Sequence, residues 1–282
     1  MKIISTVSDL SLFLNANSKS RNLGFVPTMG ALHLGHLSLI QKALEQNDLV
    51  LCSIFVNPTQ FNNSEDLEQY PDRIQEDLKA LEEAGCHAVF TPIESEIYPK
   101  DYVSKQYDFG LLDKVMEGEN RPGHFEGVAA VVSRLFELVK PQKAYFGEKD
   151  FQQLTIIKSL VQQERLNLEI VACPILRESD GLAMSSRNLL LQPKAREAAA
   201  RIYKRLLRVK RLASNQPIPE VKKWITQAFE EDPDLTLEYF EIVNTADLQR
   251  SASWSDHKDH IACIACYADA IRLIDNLFIE IN

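Results

Sequence analysis

Short apolar segments alternate with amphipathic segments of helical period through the first 175 residues of the chain. Strands are predicted at Leu23–Val26, Leu49–Val56, Ala88–Phe90, Ala144–Phe146 and Leu168–Ala172, and helices at Leu37–Gln46, Arg73–Ala84, Val128–Val139 and Phe151–Glu164. This alternation predicts a mainly parallel sheet with helices on both faces, a Rossmann-like α/β domain. Ligands of such sheets bind beyond the carboxyl ends of the strands.

The pattern changes after Pro174. Helices are predicted at Ala195–Leu212 and Glu220–Glu230, and strands at Leu235–Val243, His260–Tyr267 and Ala270–Ile281, the last with a break at Asp275-Asn276. These elements predict a smaller α+β domain with an antiparallel sheet. The expected division is a catalytic domain over residues 1–175 and a C-terminal lid domain over residues 176–282.

Charge and hydropathy exclude several classes of protein. The chain has 31 Lys and Arg against 40 Asp and Glu, a net charge of −9, which argues against a nucleic-acid-binding surface. Its apolar runs fall short of the ~20 residues that span a bilayer. Residues 1–20 do not have the pattern of a secretory signal. We therefore expect a cytoplasmic protein that binds neither membranes nor nucleic acids.

The five cysteines are an odd number and lie mostly in apolar segments, as expected of buried, reduced thiols. One pattern, His257-x2-His260-x2-Cys263-x2-Cys266, superficially suggests a zinc site. The two cysteines fall in a predicted strand, however, where positions three apart point to opposite faces. We therefore do not predict zinc there.

The most informative segment is the histidine turn, residues 29–36, which follows the first predicted strand and runs into a helix. It reads Met-Gly-Ala-Leu-His-Leu-Gly-His and places His33 and His36 on one face of the first helical turn. Helix N-termini attract phosphate groups, and Gly35 leaves room for a base or ribose to approach the backbone. The turn therefore predicts a nucleoside triphosphate site; the alternative is a turn with two solvated histidines.

A second strand-to-helix turn, the lysine turn, spans residues 147–150 and reads Gly-Glu-Lys-Asp. A lysine at a helix N-terminus is unfavourable unless an anion binds there, which suggests a phosphate contact for Lys149. Asp150 is suited to ribose hydroxyls. The alternatives are that Asp150 caps the following helix and that Lys149 is a solvated surface residue.

A third segment, the serine loop, spans residues 184–187 and reads Met-Ser-Ser-Arg at the junction of the predicted domains. Two hydroxyls beside a guanidinium form a suitable clamp for phosphate oxygens. The alternative is a loop with a capping role only.

Two further polar segments are candidates for substrate binding. Asn57 and Gln60 offer uncharged donors and acceptors for the hydroxyls or carbonyls of a small organic substrate. Arg121 lies in a glycine-bounded loop where it can pair with a carboxylate. For each segment the alternative is an ordinary polar turn.

Taken in order, the three main segments resemble the nucleotidyltransferase superfamily that includes class I aminoacyl-tRNA synthetases. There a His-x-Gly-His turn acts with a later Lys/Met-Ser-Lys-Ser-like loop. The runs Pro27–His36, Phe55–Phe61, Arg121–Gly127, Gly147–Gln153 and Gly181–Asn188 are more closely similar to those of the pantothenate synthetase (pantoate–β-alanine ligase) family. This resemblance covers essentially the whole chain.

The resemblance implies an ATP-dependent condensation of pantoate with β-alanine through a pantoyl adenylate, with release of pyrophosphate and AMP. It implies catalytic roles for His33, His36, Lys149, Ser185, Ser186 and Arg187, with His36 as a proton donor. The implied ATP site comprises Met29, Gly30, Ala31, Leu32, His33, Leu34, Gly35, His36, Gly147, Glu148, Lys149, Asp150, Leu176, Met184, Ser185, Ser186 and Arg187.

The resemblance also assigns substrates and partners. Gln60 and Gln153 are the expected pantoate residues, and Gln60 also lies at the β-alanine position. Mg²⁺ is expected, chiefly on the triphosphate, with Asp77 as a candidate protein contact. The family usually forms homodimers.

Other functions remain open at this point. A nucleotidyltransferase with a phosphate-bearing acceptor would share the histidine turn but should need more basic residues. A nucleotide sensor would bind ATP without turnover. A tRNA synthetase fits poorly because the chain is acidic.

Overall fold

The computed structural model describes residues 1–17 and 22–281, and within them six parallel strands form one sheet in the order β1-β4-β3-β2-β5-β6. The predicted parallel sheet is confirmed. The strands are β1 (Lys2–Ile4), β2 (Leu23–Thr28), β3 (Leu49–Ile54), β4 (Ala88–Phe90), β5 (Lys143–Gly147) and β6 (Glu169–Cys173). Strands β3 and β4 lie on one side of β2, and β5 and β6 on the other, so the strand order reverses at the β2–β5 pair.

Helices cover both faces of this sheet. They are α1 (Val7–Asn17), α2 (Leu34–Gln46), α3 (Ser64–Glu68), α4 (Ile74–Glu83), α5 (Glu94–Ile97), α6 (Met116–Asn120), α7 (His124–Val139) and α8 (Phe151–Gln163), with short 3-10 turns at Pro58–Gln60 and Glu148–Asp150. One apolar core forms around Phe25, Phe136 and Leu154. The other forms around Val26 and Ile40. A sheet buried on both faces accounts for strands that are apolar at nearly every position.

A second sheet follows the 3-10 turn Ser186–Leu190 and the helices α9 (Pro193–Ala213) and α10 (Ile218–Glu230). In this part of the described chain β7 (Leu235–Asn244), β8 (His260–Ala268) and β9 (Ile271–Ile279) pair antiparallel in that order. The predicted antiparallel sheet is confirmed. Its apolar core, with α9 and α10, is formed by residues from Leu182 onward, while the two cores above end at Cys173. The division at residues 175 and 176 stays a prediction.

The predicted break at Asp275-Asn276 is wrong. Strand β9 runs through both residues, which pair with Ile264 and Cys263 of β8. Polar residues in the middle of a buried strand are tolerated when their side chains are hydrogen-bonded. Both side chains have such partners, which are described below.

Strand β1 and helix α1 were not predicted. Strand β1 is only three residues long and lies at the sheet edge, so it leaves no apolar run in the sequence. Cys263 and Cys266 lie in separate apolar clusters on β8, as the alternation of a strand requires. Among the described residues, no helix combines the length and apolarity that crossing a bilayer requires.

Candidate active site

The histidine turn and the lysine turn lie next to each other because they follow the paired strands β2 and β5. Reversal of strand order opens a crevice at that point of a parallel sheet. A cavity of about 170 Å³ lies in the crevice, and the serine loop also lines it. The predicted residues that line the cavity are Met29, His33, Gly35, His36, Gly147, Lys149, Asp150, Gln153, Leu176, Met184, Ser185, Ser186 and Arg187.

The two histidines cap helix α2 for each other. His33 is the N-cap, and its Nδ1 accepts a hydrogen bond from the Gly35 amide at 3.1 Å. The Nδ1 of His36 accepts one from the His33 amide at 3.3 Å. Gly35 is required for this arrangement, since a Cβ at that position would lie 2.8 Å from the His33 ring. The sequence did not reveal that this packing requires a glycine at position 35.

These hydrogen bonds determine the protonation state of both imidazoles. An Nδ1 atom that accepts a backbone N–H carries no proton, so each neutral ring has its N–H at Nε2. Burial, together with the charge of Lys149, lowers the pKa of His33 to about 4. Burial and the adjacent His33 lower the pKa of His36 well below its usual range. Each ring is therefore a neutral, single hydrogen-bond donor at pH 7.

The backbone before the histidines is held by Asp77 of α4. Its two carboxylate oxygens accept hydrogen bonds from the amides of Ala31, at 2.8 Å, and Leu32, at 2.7 Å. Gly30 turns the chain here with a φ of +84°, a conformation that favours glycine. Because Asp77 is buried and both oxygens have backbone partners, its expected contact with Mg²⁺ is not supported. Its observed role is to shape the histidine turn.

The lysine turn is a 3-10 turn, Glu148–Asp150, that leads into α8. Lys149 is largely buried at the cavity wall, so it is not a solvated surface lysine. Asp150 stands at the N-cap of α8 but makes no side-chain capping hydrogen bond. The interpretation of Asp150 as a helix cap is therefore wrong, and its carboxylate lines the cavity, with one oxygen 3.9 Å from the Lys149 Nζ.

The serine loop lines the cavity with all four of its residues. The Ser185 Oγ accepts the amide of Arg187 at 3.3 Å, so this serine also has a capping role. Two contacts were missed from the sequence. The Tyr70 hydroxyl lies 3.3 Å from the Ser186 hydroxyl, and Asp66 pairs with the Nη2 of Arg187 at 2.8 and 3.1 Å.

The uncharged candidates for substrate binding differ in whether they line the cavity. Gln153 lines the cavity, whereas Gln60 lies behind Met29, with its Nε2 2.7 Å from the methionine sulfur. The carboxamide of Asn57 is buried and bonded to the Gly127 carbonyl and to Gln60. The expectation that Asn57 contacts a substrate is therefore not supported, because its Nδ2 bonds to α7 and its Oδ1 accepts from Tyr98 and Thr59.

Five predicted ATP residues do not line the cavity. Gly30, Ala31 and Leu32 form the backbone that Asp77 holds. The side chain of Leu34 is exposed, and Glu148 bonds through its carbonyl to Asn276.

A second cavity of about 350 Å³ adjoins the first, since Lys149, Asp150, Ser185 and Arg187 line both. Arg121 contributes to this larger cavity. The combined space is therefore lined by cations, among them Lys149 and Arg187, and by carboxylates, among them Asp150 and Glu117, and it has room for more than one small molecule.

A family model described as pantoate-beta-alanine ligase matches residues 2–278. The chain belongs to this family. Pantothenate synthetase of Porphyromonas gingivalis is 48% identical over 99% of this chain and 100% of that protein. The enzyme of Bacteroides thetaiotaomicron is 46% identical over 98% of each.

Solved structures of the family agree with the fold. Pantothenate synthetase of Thermus thermophilus superposes with a TM-score of 0.92 at 40% identity, covering 98% of this chain and 99% of that one. Pantoate-beta-alanine ligase of Francisella tularensis, complexed with beta-gamma ATP and β-alanine, gives a TM-score of 0.83 at 36% identity, covering 98% and 97%.

The predicted activity is confirmed by these matches. The chain is an ATP-dependent ligase that joins pantoate to β-alanine through a pantoyl adenylate. The alternatives of a nucleotidyltransferase for a phosphate-bearing acceptor, a nucleotide sensor and a tRNA synthetase are therefore wrong.

Proposed function

We propose that ATP binds in the 170 Å³ cavity with its triphosphate between the histidine turn, the lysine turn and the serine loop. The convergence of these three segments on one cavity supports the proposal. In this arrangement Leu176 lies near the adenine and Asp150 faces the ribose hydroxyls. Glu148, Leu34 and the Gly30–Leu32 backbone support the turns that hold the nucleotide.

In the first step the pantoate carboxylate attacks the α-phosphorus, a new O–P bond forms, and the bond to the β-phosphate bridging oxygen breaks. Negative charge develops on the α-phosphate and on the leaving pyrophosphate. Preorganised donors that face such charge usually make the largest contribution to catalysis. His33 and His36 donate through Nε2–H, and Lys149, Ser185, Ser186 and Arg187 add donors and positive charge.

Pantoate is proposed to bind at Gln153 and Gln60. Because Met29 separates Gln60 from the cavity, its side chain has to move aside for this contact. In the second step the neutral amine of β-alanine attacks the acyl carbon, a C–N bond forms, one N–H proton is released, and AMP leaves with the former carboxylate oxygen. Gln60 lies at the β-alanine position, and Arg121 in the adjoining cavity is suited to the carboxylate of the amino acid.

We also propose that Mg²⁺ enters the site bound to the triphosphate of ATP. Among the described residues no cluster of three or more His, Cys, Asp or Glu side chains is arranged to hold a metal. A cation bound mostly through phosphate oxygens and water fits this donor set. It supplies positive charge to the triphosphate, while the residues of the protein orient the reacting groups.

The enzyme is also proposed to be a cytoplasmic homodimer. The dimer rests on the usual state of the family, and the cytoplasmic location on five buried, unpaired thiols that suit a reducing compartment. Sedimentation velocity across a range of protein concentrations tests the dimer, and a single species of about 32 kDa would contradict it.

Two assays test the assignment. Exchange of labelled pyrophosphate into ATP should require pantoate but not β-alanine, because the adenylate forms first. Release of AMP should require all three substrates. Exchange that proceeds equally without pantoate would contradict the proposed order of steps.

A further inference from the structure

Two adjacent polar residues in the middle of β9, Asp275 and Asn276, are almost completely buried. Their exposed fractions are 5% and 2%. They belong to the second sheet, yet both bond to segments that border the cavity. The mechanism above does not use them.

Asn276 contacts the lysine turn directly. Its Nδ2 donates hydrogen bonds to the carbonyls of Glu148, at 2.8 Å, and Lys149, at 2.9 Å. Two successive carbonyls determine the orientation of the peptide planes around the Lys149 Cα. The direction in which the Lys149 side chain leaves the backbone is therefore set by a residue from the other sheet.

Asp275 connects the same strand to the segment before the serine loop. Arg177 donates from Nη1 and Nη2 to the two Asp275 oxygens at 2.7 and 2.9 Å, a bidentate pair. The same guanidinium bonds to the Asn276 carbonyl at 3.2 Å and to the Gly181 carbonyl at 3.2 Å. Asn276 is thus itself held in place, and one strand contacts both the lysine turn and the segment that precedes the serine loop.

We infer that Asn276 is a positioning residue for adenylate formation, which acts by holding the lysine turn so that Lys149 faces the triphosphate. The inference rests on the proposed role of Lys149. It assigns part of the nucleotide site to a side chain that does not itself bind the nucleotide.

A role in packing the two sheets together does not by itself account for the Asn276 side chain. Its Oδ1 is buried without a hydrogen-bond partner among the described residues. Leaving a buried acceptor unpaired costs ~1–3 kcal/mol, so a side chain selected only for packing would avoid it. The two donated bonds to the lysine turn are what the carboxamide provides.

The test compares Asn276→Asp and Asn276→Ala with the wild type in pantoate-dependent pyrophosphate exchange. Aspartate keeps the shape but places an oxygen against two carbonyls, and alanine removes the group without repulsion. Asn17→Asp is the matched control, because the Asn17 side chain also donates to a backbone carbonyl, that of Phe13 in α1, far from the cavity. Thermal unfolding is measured for every variant.

Each Asn276 variant is also combined with Lys149→Ala. A misplacement of about 1 Å in a catalytic group can cost ~10²-fold, so we expect both Asn276 variants to lower the exchange rate roughly 10- to 100-fold. In the Lys149→Ala background the same changes should cost no more than about twofold, because the group they position is gone.

Exchange within about twofold of wild type for the Asn276 variants would overturn the inference. Equal losses with and without Lys149 would also overturn it, since they indicate a general structural effect. Wild-type exchange by Lys149→Ala alone would overturn both the role of Lys149 and this inference, while pantoate-dependent exchange by the wild type would still support the ligase assignment.

Discussion

The two sides of the 170 Å³ cavity, where we propose that ATP binds, are built differently. The histidine turn is held by contacts close in sequence and by Asp77, all within the first sheet and its helices. The lysine turn and the serine loop depend on Asn276 of the second sheet and on Asp66, a partly exposed partner of Arg187. One side is therefore held within the first sheet and its helices, and the other depends on how the two sheets and helix α3 approach each other.

The strengths of these contacts differ accordingly. Hydrogen bonds to a charged group contribute ~1.5–3 kcal/mol each, and Asp77 makes two of them to backbone amides. A partly exposed ion pair such as Arg187–Asp66 contributes only ~0–1 kcal/mol. Arg187 can thus leave Asp66 for a phosphate at little cost, whereas we expect the more strongly held histidine turn to change little when a ligand binds.

The largest effect is expected from His36→Ala. Loss of a preorganised donor should lower the exchange rate by ~10²-fold or more, with a smaller change in the KM for ATP, because the donor acts mainly on charge that develops during the reaction. His257→Ala, in the loop between β7 and β8, is the control. Equal rates for His36→Ala and wild type would remove His36 from the mechanism.

Asp77→Asn tests whether the histidine turn depends on its backbone support. The carboxamide presents an NH2 group to one of the two amides, so we expect a loss of ~1.5–3 kcal/mol in the free energy of unfolding and a roughly 10-fold slower exchange. Asp72→Asn is the control, because its carboxamide oxygen can still accept the single weak bond from the Ile74 amide. An unchanged exchange rate would show that the turn holds its shape without the carboxylate.

The neutral histidines predict a pH dependence of stability. The pKa of His33 is lowered from 6.5 to about 4 in the folded protein, so between these two pH values the unfolded chain binds more protons. Stability is therefore complete above about pH 6.5 and is lost as the pH falls towards 4, by at most ~1.4 kcal/mol per pH unit for each such histidine.

Urea unfolding of wild type and His33→Gln at several pH values measures this loss. The variant should show a shallower slope by up to one proton between pH 6.5 and 4. Parallel slopes would contradict the neutral, capped state of His33.

Asp66→Asn should have the smallest effect. Removal of the carboxylate that competes for Arg187 should lower the KM for ATP about two- to fivefold, with little change in kcat. Glu45→Gln removes an equal charge from the exposed Lys42 pair and serves as the control. A higher KM would instead mean that Asp66 holds Arg187 in its productive orientation.

The sequence predicted features that depend on local spacing. The strands β2 to β6 follow from apolar periodicity. The rings of His33 and His36 lie close together as expected, but they do so by capping each other, since His33 is the N-cap and not a residue of the first turn of α2. The arrangement of β2 beside β5 did not follow, because strand order is a property of long-range pairing. The sequence therefore predicted only that both turns lie at the carboxyl edge of the sheet. That they are direct neighbours follows from the pairing of β2 with β5.

The residues whose roles were predicted wrongly are those whose hydrogen-bond partners are distant in sequence. Asp275 and Asn276 look like a strand end until Arg177 and the lysine turn are seen beside them. Asn57 reads as a substrate residue until its partners Gly127 and Tyr98 are seen. Asp77 reads as a possible metal ligand until its two amide partners are identified.

The pairing of β2 with β5 has a consequence for biosynthesis of the enzyme. A nascent chain that ends after β4 already contains both histidines, yet it has no cavity, because the opposite side is encoded from β5 onward. If ATP binds in this cavity as proposed, it stabilises only chains that have been translated past Arg187, so ATP favours the longer chain over its shorter precursors.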